Sequence, residues 1–209
     1  GAIKATLSIG DPTVPLPTSL IGVNQAGNGF LARIDPHTGK VSKVWEGYGY
    51  TMTEPVFTPG HIIIRTARPK LVALNRTDPS KVVWEVALRT YKPVPPAFNR
   101  ELVFAWDGEV TKEQLTLKAF SLENSKLAWQ VKADDIDCTP LVVGDRLIYR
   151  TRNRALTCLS ATDGRQLWQK PYRKIYSTPV QGAGKIFLVM QGCEDAKSGD
   201  HYCLQCIDP

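Results

Sequence analysis

Arg154-Ala-Leu-Thr-Cys-Leu-Ser-Ala-Thr-Asp-Gly-Arg-Gln-Leu-Trp-Gln-Lys-Pro171 is the stretch whose reading decides the fold. Leu156–Ser160 and Arg165–Lys170 read as two short strands, and the Asp163-Gly164 turn between them is a strong hairpin signal. The unit recurs. Related stretches run from Phe30 to Trp45, from Lys70 to Trp84 and from Leu117 to Trp129, and a fifth, Tyr202–Pro209, stops before its tryptophan.

Aligned on Ile34, Leu74, Phe120, Leu159 and Ile207, the copies recur at roughly 40-residue intervals, the period of propeller blades. Upstream of each anchor lie two further strand-like segments. One begins near a proline (Pro17, Pro55, Pro96, Pro140 or Pro179). The next is a β-branched or aromatic run such as His61–Thr66, Glu101–Trp106, Arg146–Thr151 or Lys185–Gln191. Four strands per repeat predict an all-β chain, a five-bladed β-propeller of four-stranded antiparallel blades. The blades are expected over residues 11–48, 49–90, 91–134, 135–174 and 175–209, all in one domain. Residues 1–10 supply the missing strand, because Ile3, Ala5, Leu7 and Ile9 alternate with polar residues at period two. Ten residues separate Leu7 from Pro17, as ten separate Trp45 from Pro55. Ala2–Ile9 is therefore expected to pair with Tyr202–Asp208 and close the ring, with Leu7 in a tryptophan slot; the rival reading is a fragment cut from a longer propeller, whose end would show the same register.

Leu156-Thr-Cys-Leu-Ser-Ala-Thr-Asp-Gly-Arg-Gln-Leu-Trp168, preceded by Cys138-Thr-Pro-Leu-Val-Val-Gly-Asp-Arg-Leu-Ile-Tyr149, resembles a repeat of the pyrroloquinoline-quinone-like propeller family. The resemblance covers nearly the whole chain. It implies that each repeat tryptophan docks against the neighbouring blade. Family function divides between quinone dehydrogenases and non-catalytic scaffolds, one branch of which is the lipoprotein subunit of the outer-membrane β-barrel assembly machinery. Fold alone does not choose between them. The family's dehydrogenases use eight blades, adjacent cysteines and acidic and amide ligands to calcium. This chain has no adjacent cysteines, and apart from Trp106 its tryptophans fall in outer-strand slots, so no cofactor is expected.

The five cysteines sort by slot. Cys158 and Cys206 take the small position that Ala73 and Ala119 fill elsewhere and read as inert core. Cys138 has no evident partner. Cys193 and Cys203 flank an excursion between strands and form a candidate disulfide, which implies an extracytoplasmic, periplasmic or secreted, location. Cys193, His201, Cys203 and Cys206 as a zinc set is the competing reading, weakened because Cys203 and Cys206 differ in strand parity. Asp134, Asp135 and Asp137 cluster between repeats, and Asp107, Glu109 and Glu113 read as one long loop. Paired carboxylates there leave open a carbohydrate-acting enzyme or lectin using the propeller mouth. His37, His61 and His201 are scattered and suggest no nucleophile–base pair.

The 209 residues carry 26 Lys+Arg against 20 Asp+Glu, a net charge of +6, which favours an anionic partner. The basic side chains are concentrated in one set of loops. Tyr50, Arg65, Arg68, Tyr91, Lys92, Arg152, Arg154, Tyr172, Arg173 and Tyr176 all fall on loops between blades or between second and third strands. A basic, Tyr-rich face suits a protein partner or an acidic polymer. The sequence reading is thus a non-catalytic, monomeric scaffold of the cell envelope, without metal or catalytic residues. No apolar run approaches the ~20 residues of a membrane span, and nucleic acid is not the expected partner.

Overall fold

The computed structural model describes residues 5–8, 19–25, 28–35, 37–48, 53–89, 94–109, 114–133, 138–151, 155–172, 175, 177–191 and 202–209. Regular structure among them is all β, in five sheets whose strands are adjacent in chain order. The first holds β1 (Ala5–Ser8), β2 (Ser19–Gln25), β3 (Asn28–Ile34) and β4 (Val41–Tyr48). The second holds β5 (Val56–Phe57), β6 (His61–Thr66), β7 (Lys70–Asn75) and β8 (Val82–Ala87). The third holds β9 (Ala97–Phe98), β10 (Leu102–Glu109), β11 (Gln114–Ser121) and β12 (Leu127–Ala133). The fourth holds β13 (Leu141–Val143), β14 (Arg146–Thr151), β15 (Ala155–Ser160) and β16 (Gln166–Pro171). The fifth has three described strands, β17 (Val180–Gly182), β18 (Lys185–Gln191) and β19 (Tyr202–Ile207).

The residue pattern explains the layering. The two middle strands of a sheet are covered on both faces and so read as continuous apolar runs, as in His61-Ile-Ile-Ile-Arg-Thr and Lys70-Leu-Val-Ala-Leu-Asn. The fourth strands are largely exposed, except at the tryptophan. Each carries a β-bulge one residue before that tryptophan, at Val44, Val83, Ala128 and Leu167. The extra residue re-aims the next side chain. Trp84, Trp129 and Trp168 are thereby set opposite Ala73, Ala119 and Cys158, whose small side chains leave room for an indole. Turn chemistry closes the hairpins: the Asp35, Asn75 and Asp163 carboxyl or amide oxygens accept the N–H groups of His37, Thr77 and Arg165.

Two expectations are corrected in the first sheet. Residues 5–8 pair with β2, Leu7 opposite Ile21, and form the first strand of the first sheet; they do not pair with β19. The reason lies in the loop arithmetic. Residues 56–60, between Pro55 and His61, hold a two-residue strand and its turn. Only Thr18 separates Pro17 from Ser19, so the strand is drawn from further upstream. Alternation at period two identifies a strand but not its partner. The second correction concerns Trp45, which stands opposite Leu31, two residues further from the hairpin than its counterparts. Its indole lies where a Cβ on Gly47 would stand.

Packing divides the chain into two compact units. One comprises Gly1–Pro96 with Arg100–Leu102 and Ser121–Lys126; the other comprises Ala97–Asn99, Val103–Phe120 and Leu127–Pro209. The first has a core of Leu31, Ile62, Ile64, Val72 and Leu74, with Val44, Trp45 and Phe57 against it. The second has a core of Ile148, Leu156, Cys158, Ile175, Ile186, Leu188 and Met190, with Trp168 and Tyr172 against it. Burial pushes the Cys158 thiol up to about 11, far from the thiolate range, so Cys158 behaves as an apolar residue.

Candidate functional site

The strand-joining turns share one device. The N–H of Arg76 donates to the Gly60 carbonyl, that of Leu122 to Glu101 and that of Ala161 to Asp145, tying each third-to-fourth-strand hairpin to the turn before the second strand. The carbonyls of Leu122 and Ala161 then accept an indole N–H from the preceding sheet, Trp84 at 2.8 Å and Trp129 at 3.0 Å. The tryptophan docking implied by the family resemblance is therefore present at these two positions. Trp84 is buried, whereas Trp45, Trp129 and Trp168 are half-buried. Burial is thus less uniform than strict repetition would give.

Within the first unit, these turns enclose a cleft of about 530 Å³ lined by Thr58–His61, Arg100–Leu102 and Ser121–Glu123. Arg100, Glu101 and Glu123 are exposed around it, so the cleft offers charge of both signs. Behind its Thr58–Gly60 wall lies the buried Arg76, whose Nη1 donates to the Thr58 carbonyl at 2.5 Å. Arg76 occupies the slot that Leu122 and Ala161 fill in the next two repeats, a departure that was the available sequence signal for this site. The His61 ring lies 6.5 Å from that of Trp84, and burial lowers its pKa from the ordinary value of 6.5. Unfolding therefore lets the imidazole take up a proton at mildly acid pH. Its contribution is complete above about pH 6.5 and is lost as pH falls through the depressed folded-state pKa. Urea titrations from pH 7.5 to 5 should show this as a decline that His61→Gln reduces.

The residues expected on the basic face are placed as follows. Arg65 is fully buried, with Nη1 3.5 Å from the Val94 carbonyl, so it supports the fold and does not present charge to solvent. It lies inside β6, between the buried Ile64 and Thr66, and not in a loop. Arg68 is exposed. Tyr172 is half-buried against the second core, which raises its phenol pKa. Tyr50, Tyr91, Lys92, Arg152, Arg154, Arg173 and Tyr176 lie outside the described residues.

Asp107 and Glu109 belong to β10 and not to a loop. Asp107 is buried and ion-paired with Lys118 at 2.6 Å, which ties that carboxylate into the fold. Asp134, Asp135, Asp137 and Glu113 lie outside the described residues. Trp106 is buried, donating to the Cys138 carbonyl at 3.3 Å with its ring edge-on to Tyr149. The Cys138 sulfur in turn accepts the Arg150 N–H. Cys203 is disulfide-bonded, and its expected partner Cys193, like His201, lies outside the described residues. Cys206 is a free thiol, exposed where core burial was expected; it shares the exposed face of β19 with Tyr202 and Leu204. Cys203 and Cys206 do show opposite exposure parity. Among the described residues, no group of three or more His, Cys, Asp and Glu side chains is arranged to hold a metal ion, and no helix is long and apolar enough to cross a membrane.

Comparison with known proteins agrees with the repeat reading. The model of the family described as outer membrane protein assembly factor BamB matches residues 116–201. The chain is 27% identical over 177 residues to BamB of Yersinia pestis, covering 76% of this chain and 43% of that one. It is 25% identical over 202 residues to BamB of Moranella endobia (strain PCIT), covering 85% and 52%. It thus spans about half the length of the curated relatives it matches. Among solved structures, BamB of Moraxella catarrhalis superimposes with a TM-score of 0.51 at 15% identity, covering 83% of this chain and 67% of that one. That likeness shows a shared β-propeller fold.

Proposed function

We propose that this chain, built of PQQ-like repeats and resembling BamB, is a non-catalytic binding scaffold of the cell envelope that takes part in outer-membrane protein assembly. The observation that carries the reading is the BamB match, which extends over most of the chain. The Cys203 disulfide supports an extracytoplasmic, oxidising location. We assign the binding role to the basic residues singled out in the sequence, Arg68, Arg152, Arg154 and Arg173, and take the partner to be a protein with an acidic surface. Such residues steer association through charge and act without a reacting group.

The test is co-purification with the outer-membrane assembly machinery from envelope extract. Wild-type chain should be retained. A variant with Arg68, Arg152, Arg154 and Arg173 all changed to Glu should lose at least about tenfold in affinity with an unchanged melting temperature. Equal binding by that variant would move the site elsewhere, and an Arg100→Glu, Glu123→Lys variant would then report on the turn-side cleft.

The same reading pairs Cys203 with Cys193. A peptide map without reductant should link the two, and reduction should lower stability by about 2–4 kcal/mol. A map in which Cys193 is free would reject the pairing.

A further inference from the structure

Arg76 is a cation set into the interior. It is 4% exposed, and a guanidinium keeps its charge across the pH range of folded proteins. The next two repeats place Leu122 and Ala161 in this slot, so the hairpin itself has no need of a charge there. Nη1 donates to the Thr58 carbonyl at 2.5 Å. Nε and Nη2 are buried and have no hydrogen-bond partner. Those two atoms form the side-on edge of the guanidinium, whose parallel N–H groups match the two oxygens of a carboxylate. Among the described residues, Arg76 alone has both atoms of that edge orphaned. A buried charge without a counter-charge is costly, and this donor pair calls for an acceptor from outside the chain.

The turn-side cleft lies against the same residues. Thr58, Pro59 and Gly60 line it, and Arg76 is tied to that turn twice, by Nη1 to the Thr58 carbonyl and by its backbone N–H to the Gly60 carbonyl at 3.1 Å. Pro59 and Gly60 are exposed, and a Cβ added at Gly60 would meet nothing within 4 Å, so the turn has room to shift. The cleft's 530 Å³ falls in the ligand-pocket range of about 300–1,000 Å³. On its other walls Arg100 and Glu123 are exposed, and among the described residues neither is ion-paired.

We propose that this cleft is a carboxylate-binding site, in which a ligand carboxylate enters past the Pro59-Gly60 turn, pairs with the Nε–Nη2 edge of Arg76 and is steered there by Arg100. The carboxylates of Glu101 and Glu123 at the rim disfavour a dianion such as phosphate. They favour a ligand with a positive group beside its carboxylate, as a peptide with adjacent acidic and basic residues has. The site uses none of the loops assigned above to the envelope partner, and the two are tested separately.

Acetate, exchanged for chloride at constant ionic strength, is the first probe. It should shift the Arg76 Nε–H resonance of the wild-type protein saturably and raise the melting temperature. Arg76→Leu, which matches the next repeat, should lose the acetate-dependent rise. Arg76→Lys, which keeps the charge without the fork, should lose it too. The second probe is a pair of acetylated, amidated dipeptides, Glu-Lys and Glu-Glu. The first should bind at least about tenfold more tightly, and Glu123→Gln should narrow the gap. An Nε–H resonance that acetate leaves in place would overturn the carboxylate site, as would a thermal response that either Arg76 variant retains. Equal binding of the two dipeptides would overturn the role given to the rim carboxylates.

Discussion

Trp84→Ala is expected to destabilise the protein by about 3–5 kcal/mol, the range for truncating a buried tryptophan. Two losses combine. The indole is 8% exposed and packs beside His61, and its Nε1 is the donor to the Leu122 carbonyl. Leu122 is itself buried, so its carbonyl would lose a partner where water has little access. Trp84→Phe separates the terms: it keeps most of the apolar area and should cost about 1–3 kcal/mol, the penalty of an orphaned buried acceptor. Trp168→Ala should cost less than Trp84→Ala, because Trp168 is half-buried and its ring lies beneath the Lys170 ammonium at 5.5 Å. Chemical denaturation of the three variants checks the order. Equal losses at Trp84 and Trp168 would mean that the indole–carbonyl bond adds nothing.

Gly164→Ala carries the second large effect, roughly 2–5 kcal/mol, from a left-handed backbone and overpacking together. Gly39, Ser125 and Gly164 stand at the same place in three hairpins, with φ of 67°, 59° and 75°. Each donates its N–H four residues back, to Asp35, Ser121 and Ser160. Ser125 shows that the conformation tolerates a side chain. At Gly164 the added Cβ would stand 2.7 Å from Trp129 Cε3 and 3.0 Å from Val131 Cγ1, whereas at Gly39 nothing lies within 4 Å. Gly39→Ala should therefore cost only the backbone term, about 1–2 kcal/mol. The difference between the two glycines measures the contact with the neighbouring sheet's tryptophan. If both substitutions cost the same, that contact is not tight.

Strand-level features were legible because they are local. Apolar runs covered on both faces, turn residues such as Asp163-Gly164 and the recurring tryptophan each follow from neighbours a few positions away. Together they determined an all-β chain of blade-like sheets. The opposite parity of Cys203 and Cys206 was readable on the same grounds.

Tertiary structure decided what depends on partners distant in sequence. Alternation marked Ala2–Ile9 as a strand, yet its partner turned on the room left between Pro17 and Ser19, which seats residues 5–8 beside β2. Trp45 kept its face but slid two residues, because its bulge sits opposite Leu31 and Ala32 and not next to the hairpin. Arg65 read as a surface cation, although β6 is covered on both sides and carries it inside. Cys158 and Cys206 occupy one slot in the repeat, yet the first is a buried thiol and the second an exposed one. Repetition in the sequence determines which residues are equivalent within a sheet. Their environments differ because burial belongs to the contact between sheets, which no single repeat contains.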